Sequence, residues 1–184
     1  MKNRLFIALE VPKEILHQIQ TIREDNIDTK YHFRWEPIDK LHFTLKFLGD
    51  VDSAFIDKID QSLSLIVKSY NKFECEFSKF GLFKRNRIPS ILWIGLKENQ
   101  DLYNLANEIE NEMYKLGFEK ETRKFNAHLT LLRIRQVVSE DIFYNLLDIS
   151  LPLIKFTTEN ISLMKSELLP SGSVYTKIKQ FKLK

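Results

Sequence analysis

Four histidines occur in the 184 residues, and two of them sit in the same short setting. Leu41-His42-Phe43-Thr44-Leu45 and Ala127-His128-Leu129-Thr130-Leu131 each place a threonine two residues after the histidine and a leucine next. Chance would give two such His-x-Thr pairs about 1% of the time, before the leucine is demanded. In a strand, residues i and i+2 share a face. His42 and Thr44 then point one way, and Leu41, Phe43 and Leu45 the other. His128 and Thr130 repeat the arrangement between Ala127, Leu129 and Leu131. Each segment offers a titratable imidazole beside a hydroxyl donor suited to phosphate oxygens. Two such segments face to face would frame a cleft with a general acid and a general base.

A lone histidine on an apolar strand is more often a hydrogen-bonded core residue than a catalyst. The repetition favours chemistry. A two-histidine metal site is the next competitor, but the strands carry no Asp, Glu or Cys, and Asp39 precedes His42 by an awkward three residues. No metal ligand set is expected. His17 and His32 lack a matching threonine and read as structural.

The elements that must position these residues are legible from periodicity and punctuation. Residues 4–10 suit a strand, and Pro12 suits the first position of a helix carrying Ile15, Leu16, Ile19 and Ile22. Residues 41–48 form a second strand-length run ended by Gly49-Asp50. Asp52-Ser53 would cap a helix with Ile56, Ile59, Leu63, Ile66 and Tyr70 on one face. Residues 73–77 alternate as a half-exposed strand, and 81–89, with Lys84, Arg85 and Arg87, read as a basic loop. That loop either tracks a phosphate backbone or is simply solvated. A buried strand over 91–96 precedes a helix striped by Leu102, Leu105, Ala106, Ile109, Met113 and Leu116 and stopped at Gly117. A strand over 127–134, a helix capped at Ser139 and two or three tail strands turning at 170–173 complete the chain.

The two motifs are 86 residues apart, and Ser53 and Ser139 each follow their histidine by 11. A duplicated lobe would leave that echo. The expected fold is therefore α+β: two pseudo-symmetric lobes, each an antiparallel sheet with outer helices, around a central cleft, with 1–184 as one domain.

Composition sets the outer bounds. Twenty-eight Lys and Arg against 25 Asp and Glu leave +3, too mild for coating nucleic acid by charge alone. No apolar run approaches the roughly 20 residues of a bilayer span, and with no basic segment running into an apolar stretch and a small-residue cleavage site, a secretory leader is not expected. The single cysteine, Cys75, reads as an inert buried thiol. A soluble, cytoplasmic monomer is expected.

Paired His-x-Thr motifs in a chain of this size resemble the two-histidine phosphoesterases, and most closely the bacterial RNA 2′,3′-cyclic phosphodiesterases, also called 2′-5′ RNA ligases. The resemblance runs through most of the chain: residues 4–9 with Pro12, Arg34-Trp35-Glu36-Pro37 into the first motif, 80–83 into 91–95, 125–133, and 166–168 with Gly172 and Tyr175. One departure is Ala127, where the family usually has proline before the second histidine; it alters backbone stiffness rather than chemistry.

The resemblance implies hydrolysis of an RNA 2′,3′-cyclic phosphate to a 2′-phosphate, and in reverse 2′-5′ ligation, with no cofactor. It implies His42 as proton donor, His128 as proton acceptor, and Thr44, Thr130 and Arg133 as substrate ligands. Arg133 lies five residues after His128, which a regular strand would put on the opposite face. Either a bulge re-aims it or it is a surface arginine. Phe6 and Trp35 are candidates for base stacking or for the core. No P-loop or ligase lysine motif is evident, so ATP is not expected. A non-catalytic RNA-end or nucleotide-binding module is the alternative, and the two histidines argue against it.

Overall fold

The computed structural model describes residues 2–27, 31–135, 138–170 and 172–184. The first apolar run forms β1 (Lys2–Leu9), buried over its last five residues. Pro12 stands just ahead of α1 (Lys13–Asp25), as its N-cap rather than its first residue. Ile15, Leu16 and Ile19 of α1 turn into the core. The next strand, β2 (Phe43–Asp52), runs past the glycine expected to end it. Gly49 adopts φ +71° beside a bulge at Leu48, because Leu5 pairs with Gly49 while Phe6 pairs with Phe47. Left-handed glycine lets the strand bend there and continue. The Asp52 carboxylate accepts from the Ala54 N–H (3.0 Å), and α2 (Ile56–Ile66) follows with Ile59, Leu63 and Ile66 buried.

The basic segment expected as a loop is instead the outer part of a hairpin between β3 (Phe73–Arg85) and β4 (Ile88–Leu96). Asn86 and Arg87, at φ 51° and 66°, join them as Arg85 pairs with Ile88. Two successive positive φ values are the backbone of a type I′ turn. The side-chain oxygen of Asn99 caps α3 (Gln100–Lys115) by accepting from the Leu102 N–H at 3.0 Å, and Gly117, at φ +94°, ends it. Then come β5 (His128–Arg133), α4 (Tyr144–Asp148) after a turn capped by Ser139, β6 (Lys155–Thr158), β7 (Asn160–Leu169) and β8 (Gly172–Lys182). The tail hairpin closes with Leu169 opposite Gly172; Ser171 of the expected turn lies outside the described residues.

The strands order as β6-β3-β4-β5-β2-β1-β7-β8, every pairing antiparallel. Two half-sheets of four strands therefore repeat outward from the middle, as the echo implied. They are joined edge to edge into one sheet, rather than standing as two, by Phe43 opposite Leu129. Those residues keep the 86-residue spacing of the histidines. Helix α3 packs against β2 and α4 against β3, so the helices cover one face and leave the other for the cleft. No helix of the described residues is long and apolar enough to cross a membrane.

The open face is shaped by a close approach. Trp93 in β4 stands between Gly81 of β3 and Thr130 of β5. A Cβ at Gly81 would come within 2.2 Å of the indole, and one at Gly95 within 2.9 Å. The glycines let the ring lie flat on the sheet beside His128, 6.4 Å away between centroids. Gly81→Ala should displace Trp93 and cost about 1–3 kcal/mol, the usual range for overpacking. Urea melts and the shift of tryptophan emission measure this, and Trp93→Phe added to Gly81→Ala should recover much of the loss. An unchanged melt and emission for Gly81→Ala would show that the ring does not depend on the glycine.

Candidate active site

Phe43 and Leu129 are both fully buried on the helix-covered face. Their neighbours must therefore face the cleft. In antiparallel register about that pair, His42 falls opposite Thr130 and Thr44 opposite His128. The four motif residues line one cavity of about 430 Å³. A larger cavity, about 540 Å³, lies at the start of α1 and is lined by no histidine; of its charged residues, Glu159 is paired with Lys72, Lys155 with Glu74 and Glu10 with Lys177. The acid–base groups belong to the smaller one.

Arg133 reaches the same cavity because β5 bulges. Leu92 pairs with Leu132 and Trp93 with Thr130, so Leu131 is an extra residue in β5. Leu131 and Leu132 are buried in succession, and the alternation shifts by one. Arg133 thereby joins His128 and Thr130 on the open face. The first half bulges at the equivalent place: Ile7 pairs with Lys46 and Ala8 with Thr44, leaving Leu45 extra. There the shifted residue is Phe47, 65% exposed and also lining the cavity.

Both imidazoles are held in the same way. His42 Nδ1 lies 2.7 Å from the Lys40 carbonyl oxygen, and His128 Nδ1 lies 2.8 Å from that of Asn126. A carbonyl only accepts, so each Nδ1 carries the proton and each neutral Nε2 is left as a base. The rings differ in their surroundings. His42 stacks on Phe6 at 4.8 Å and meets the edge of Tyr175 at 5.2 Å, whereas His128 packs edge-on to Phe83 at 4.9 Å. Burial lowers the pKa of His42 to about 4; the Lys40 carbonyl pulls the other way, and the positive charge of Arg133 and His128 adds to the lowering.

Arg133 is steered by a residue that the sequence does not single out for chemistry. Its Nε lies 3.2 Å from Glu36 Oε1 at the cavity wall. Glu36 is positioned by its own backbone, which donates to the Leu131 carbonyl (2.9 Å), while Trp35 bridges to Leu132. Behind them, the Arg23 guanidinium of α1 lies 4.8 Å from the Trp35 ring centroid. Glu36 and Arg133 are 97 residues apart, so no local pattern marks the pair.

The remaining candidates separate cleanly. Phe6 is almost fully buried and forms floor rather than platform, and Trp35 is committed to Arg23 and β5. His17 and His32 are exposed and outside the cavity. Lys84 is paired with Glu140. Cys75 is buried, its thiol pushed up to about 12 by burial above all. Among the described residues, no three His, Cys, Asp or Glu converge as a metal site.

The family model of LigT-like phosphoesterases matches the chain twice in succession, over residues 9–93 and 94–175. The boundary falls between the two motif-bearing halves. An RNA 2′,3′-cyclic phosphodiesterase of Thermotoga maritima is 32% identical over 173 residues, covering 94% of this chain and 91% of its own. One of Archaeoglobus fulgidus is 31% identical over 180 residues, covering 97% and 99%. Among solved structures, apo E. coli LigT superposes with a TM-score of 0.75 at 25% identity over 99% of this chain and 98% of its own. A Thermus thermophilus protein shares the fold at a TM-score of 0.81 and 21% identity, covering 98% and 97%. With both halves matched by one model and full-length relatives above 30% identity, the chain belongs to the LigT-like phosphoesterase family.

Proposed function

We propose that the cleft opens RNA 2′,3′-cyclic phosphate ends by paired histidine catalysis. The carrying observation is the repeated tether: two imidazoles, each fixed through Nδ1 to a carbonyl, lining one cavity with two threonines and an arginine. The name shared by the relatives supplies the substrate class. Water attacks phosphorus as His128 Nε2 takes its proton. The bond from phosphorus to O3′ breaks as protonated His42 gives that oxygen a proton, leaving a 2′-phosphate. Thr44 and Thr130 hold the non-bridging oxygens, and Arg133 balances the charge that gathers on them. A 5′-hydroxyl in place of water would give a 2′-5′ linkage by the same proton transfers. Because the imidazoles cover both transfers, neither metal nor ATP has a step to perform. The chain is read as a single domain working as a cytoplasmic monomer; its one cysteine, buried and unpaired, is what supports a reducing compartment.

His42→Ala and His128→Ala should each lose activity by about 10²–10⁴-fold while keeping a cooperative melt. Thr44→Val and Thr130→Val should lose less, since each removes one neutral donor. EDTA should leave wild-type turnover intact. Near-wild-type activity in either folded histidine variant would end the two-histidine mechanism; binding of a cyclic-phosphate oligonucleotide without ring opening by the wild type would make the protein a binding module.

The low pKa of His42 favours a second assignment, with the roles exchanged, because a neutral imidazole in the empty cleft is a base. A substrate with a better leaving group at O3′ needs less protonation and should rescue whichever variant lacks the acid. Rescue of His42→Ala alone supports the first assignment; rescue of His128→Ala alone supports the exchange.

The first assignment also makes an electrostatic demand. A phosphodiester monoanion must offset burial and the nearby cations and raise the pKa of His42 from about 4 towards the working pH. NMR titration of the imidazole, free and saturated with a nucleotide 2′-phosphate, reads this directly. A pKa that stays near 4 in the complex would remove His42 as the proton donor.

A further inference from the structure

We propose that Arg85 and Arg87, at the tip of the β3–β4 hairpin, hold the phosphates of nucleotides upstream of the reacting end. The preferred substrate is then a single-stranded RNA of several nucleotides rather than a cyclic mononucleotide. This rests on the reading of the cleft as a site for cyclic-phosphate RNA ends. Arg133, Ile91 and Phe83 are neighbours across β5, β4 and β3, forming one row on the open face. Phe83 confirms that facing, because its ring meets His128 at 4.9 Å.

Arg85 follows Phe83 by two residues, with no extra residue in β3 between them, so it shares the open face. Lys84 gives the independent check. It points the other way and is paired with Glu140, which precedes α4 on the helix-covered side. Strand spacings of about 4.8 Å and a rise of about 3.3 Å per residue put Arg85 roughly 12 Å from Arg133, within reach of the adjoining phosphates of an extended strand. Arg87 occupies the turn itself. Both arginines are exposed. Neither makes an ion pair among the described residues.

The far end of the cleft has the complementary character. The β7–β8 hairpin, third and fourth from the seam in the other half, turns at the opposite end of the sheet and carries Leu168, Leu169 and Val174 exposed near its tip. Leu168 already lines the cavity. A single strand crossing the cavity from tip to tip meets cations for its backbone at one end and an apolar surface for its bases at the other. Such a surface favours stacking and burial without base readout.

The test uses the variant Arg85→Gln/Arg87→Asn, asparagine being tolerant of the positive φ of the turn. Lys13→Gln/Lys68→Gln, on exposed lysines away from the cavity, is the charge-matched control. Fluorescence anisotropy should show a single-stranded RNA hexamer ending in a 2′-phosphate bound about tenfold more weakly by the arginine variant than by the control. Its slope of log affinity against log salt should be shallower by about 1.4, at about 0.7 per phosphate contact. Hydrolysis of a 2′,3′-cyclic mononucleotide should stay within about twofold of wild type, while the cyclic-ended hexamer loses about tenfold in kcat/KM through KM. Hexamer binding equal to the control, or equal losses on hexamer and mononucleotide, would overturn the track. Should the wild type open no cyclic phosphate at all, the catalytic reading falls, and the anisotropy comparison still decides the track.

Discussion

Where Phe43 meets Leu129, two half-sheets become one, and the site depends on that pair holding its register. Both side chains are fully buried against the helices, which forces the flanking His42, Thr44, His128 and Thr130 to the open face. A slip of one residue would exchange faces along the strand. It would drive imidazoles and hydroxyls into an apolar layer without partners and expose phenylalanine and leucine. Burying even one such polar group unpaired costs on the order of 1–3 kcal/mol. Packing therefore enforces the geometry of the proposed site: the apolar residue at the centre of each motif orients the two polar residues beside it.

The paired bulges at Leu45 and Leu131 are the second constraint, and they show how a repeated backbone carries unequal chemistry. Each shifts the alternation just after the motif, sending one residue inward and the next outward. In the second half these are Leu132 and Arg133, an apolar side chain that packs and a cation that lines the cavity. In the first half they are Lys46 and Phe47, so the same shift drives an ammonium into the core. The fold accommodates it fully. Lys46 Nζ lies 2.8 Å from Glu110 Oε1 and donates to the Glu119 carbonyl at 2.9 Å, tying β2 to α3 and to the chain beyond it. A buried charge is tolerated only with such partners. The cleft is consequently cationic at Arg133 and aromatic at Phe47, although the backbone beneath them repeats.

The parts of this arrangement that the sequence revealed are those decided within a few residues. The His-x-Thr pairs, the capped helices and the strand they follow depend on face parity and local hydrogen bonds, and the echo at 86 residues showed that they came twice. The bulge could only be posed as a choice for Arg133, because the extra residue exists relative to β4 and not within β5 alone. The segment 81–89 misled for a related reason. Its charges suggested a loop, yet each arm pairs with the other and the turn needs only Asn86 and Arg87, without the glycine that usually marks it. Gly49 misled in the opposite direction, since a glycine at positive φ ends a strand or bends it depending on what the neighbouring strand does. Glu36 was visible only as a letter beside Trp35; its importance comes from a contact made 97 residues away.

That contact resolves a difficulty in using an arginine as a phosphate ligand. On the proposed reading Arg133 must be aimed before substrate arrives, but a deeply buried ion pair would hold it against the phosphate instead of for it. The Arg133 side chain is 49% exposed and touches Glu36 through Nε at 3.2 Å. Pairs of this exposure contribute about 0–1 kcal/mol, so the arginine is oriented without being trapped. The guanidinium has further N–H donors at its two terminal nitrogens, and a phosphate oxygen can engage those while Nε stays on the carboxylate. Glu36 is in turn fixed through its backbone to Leu131, the bulge residue that turned Arg133 towards the cleft. One local irregularity in β5 thus both presents the arginine and anchors the carboxylate that steadies it.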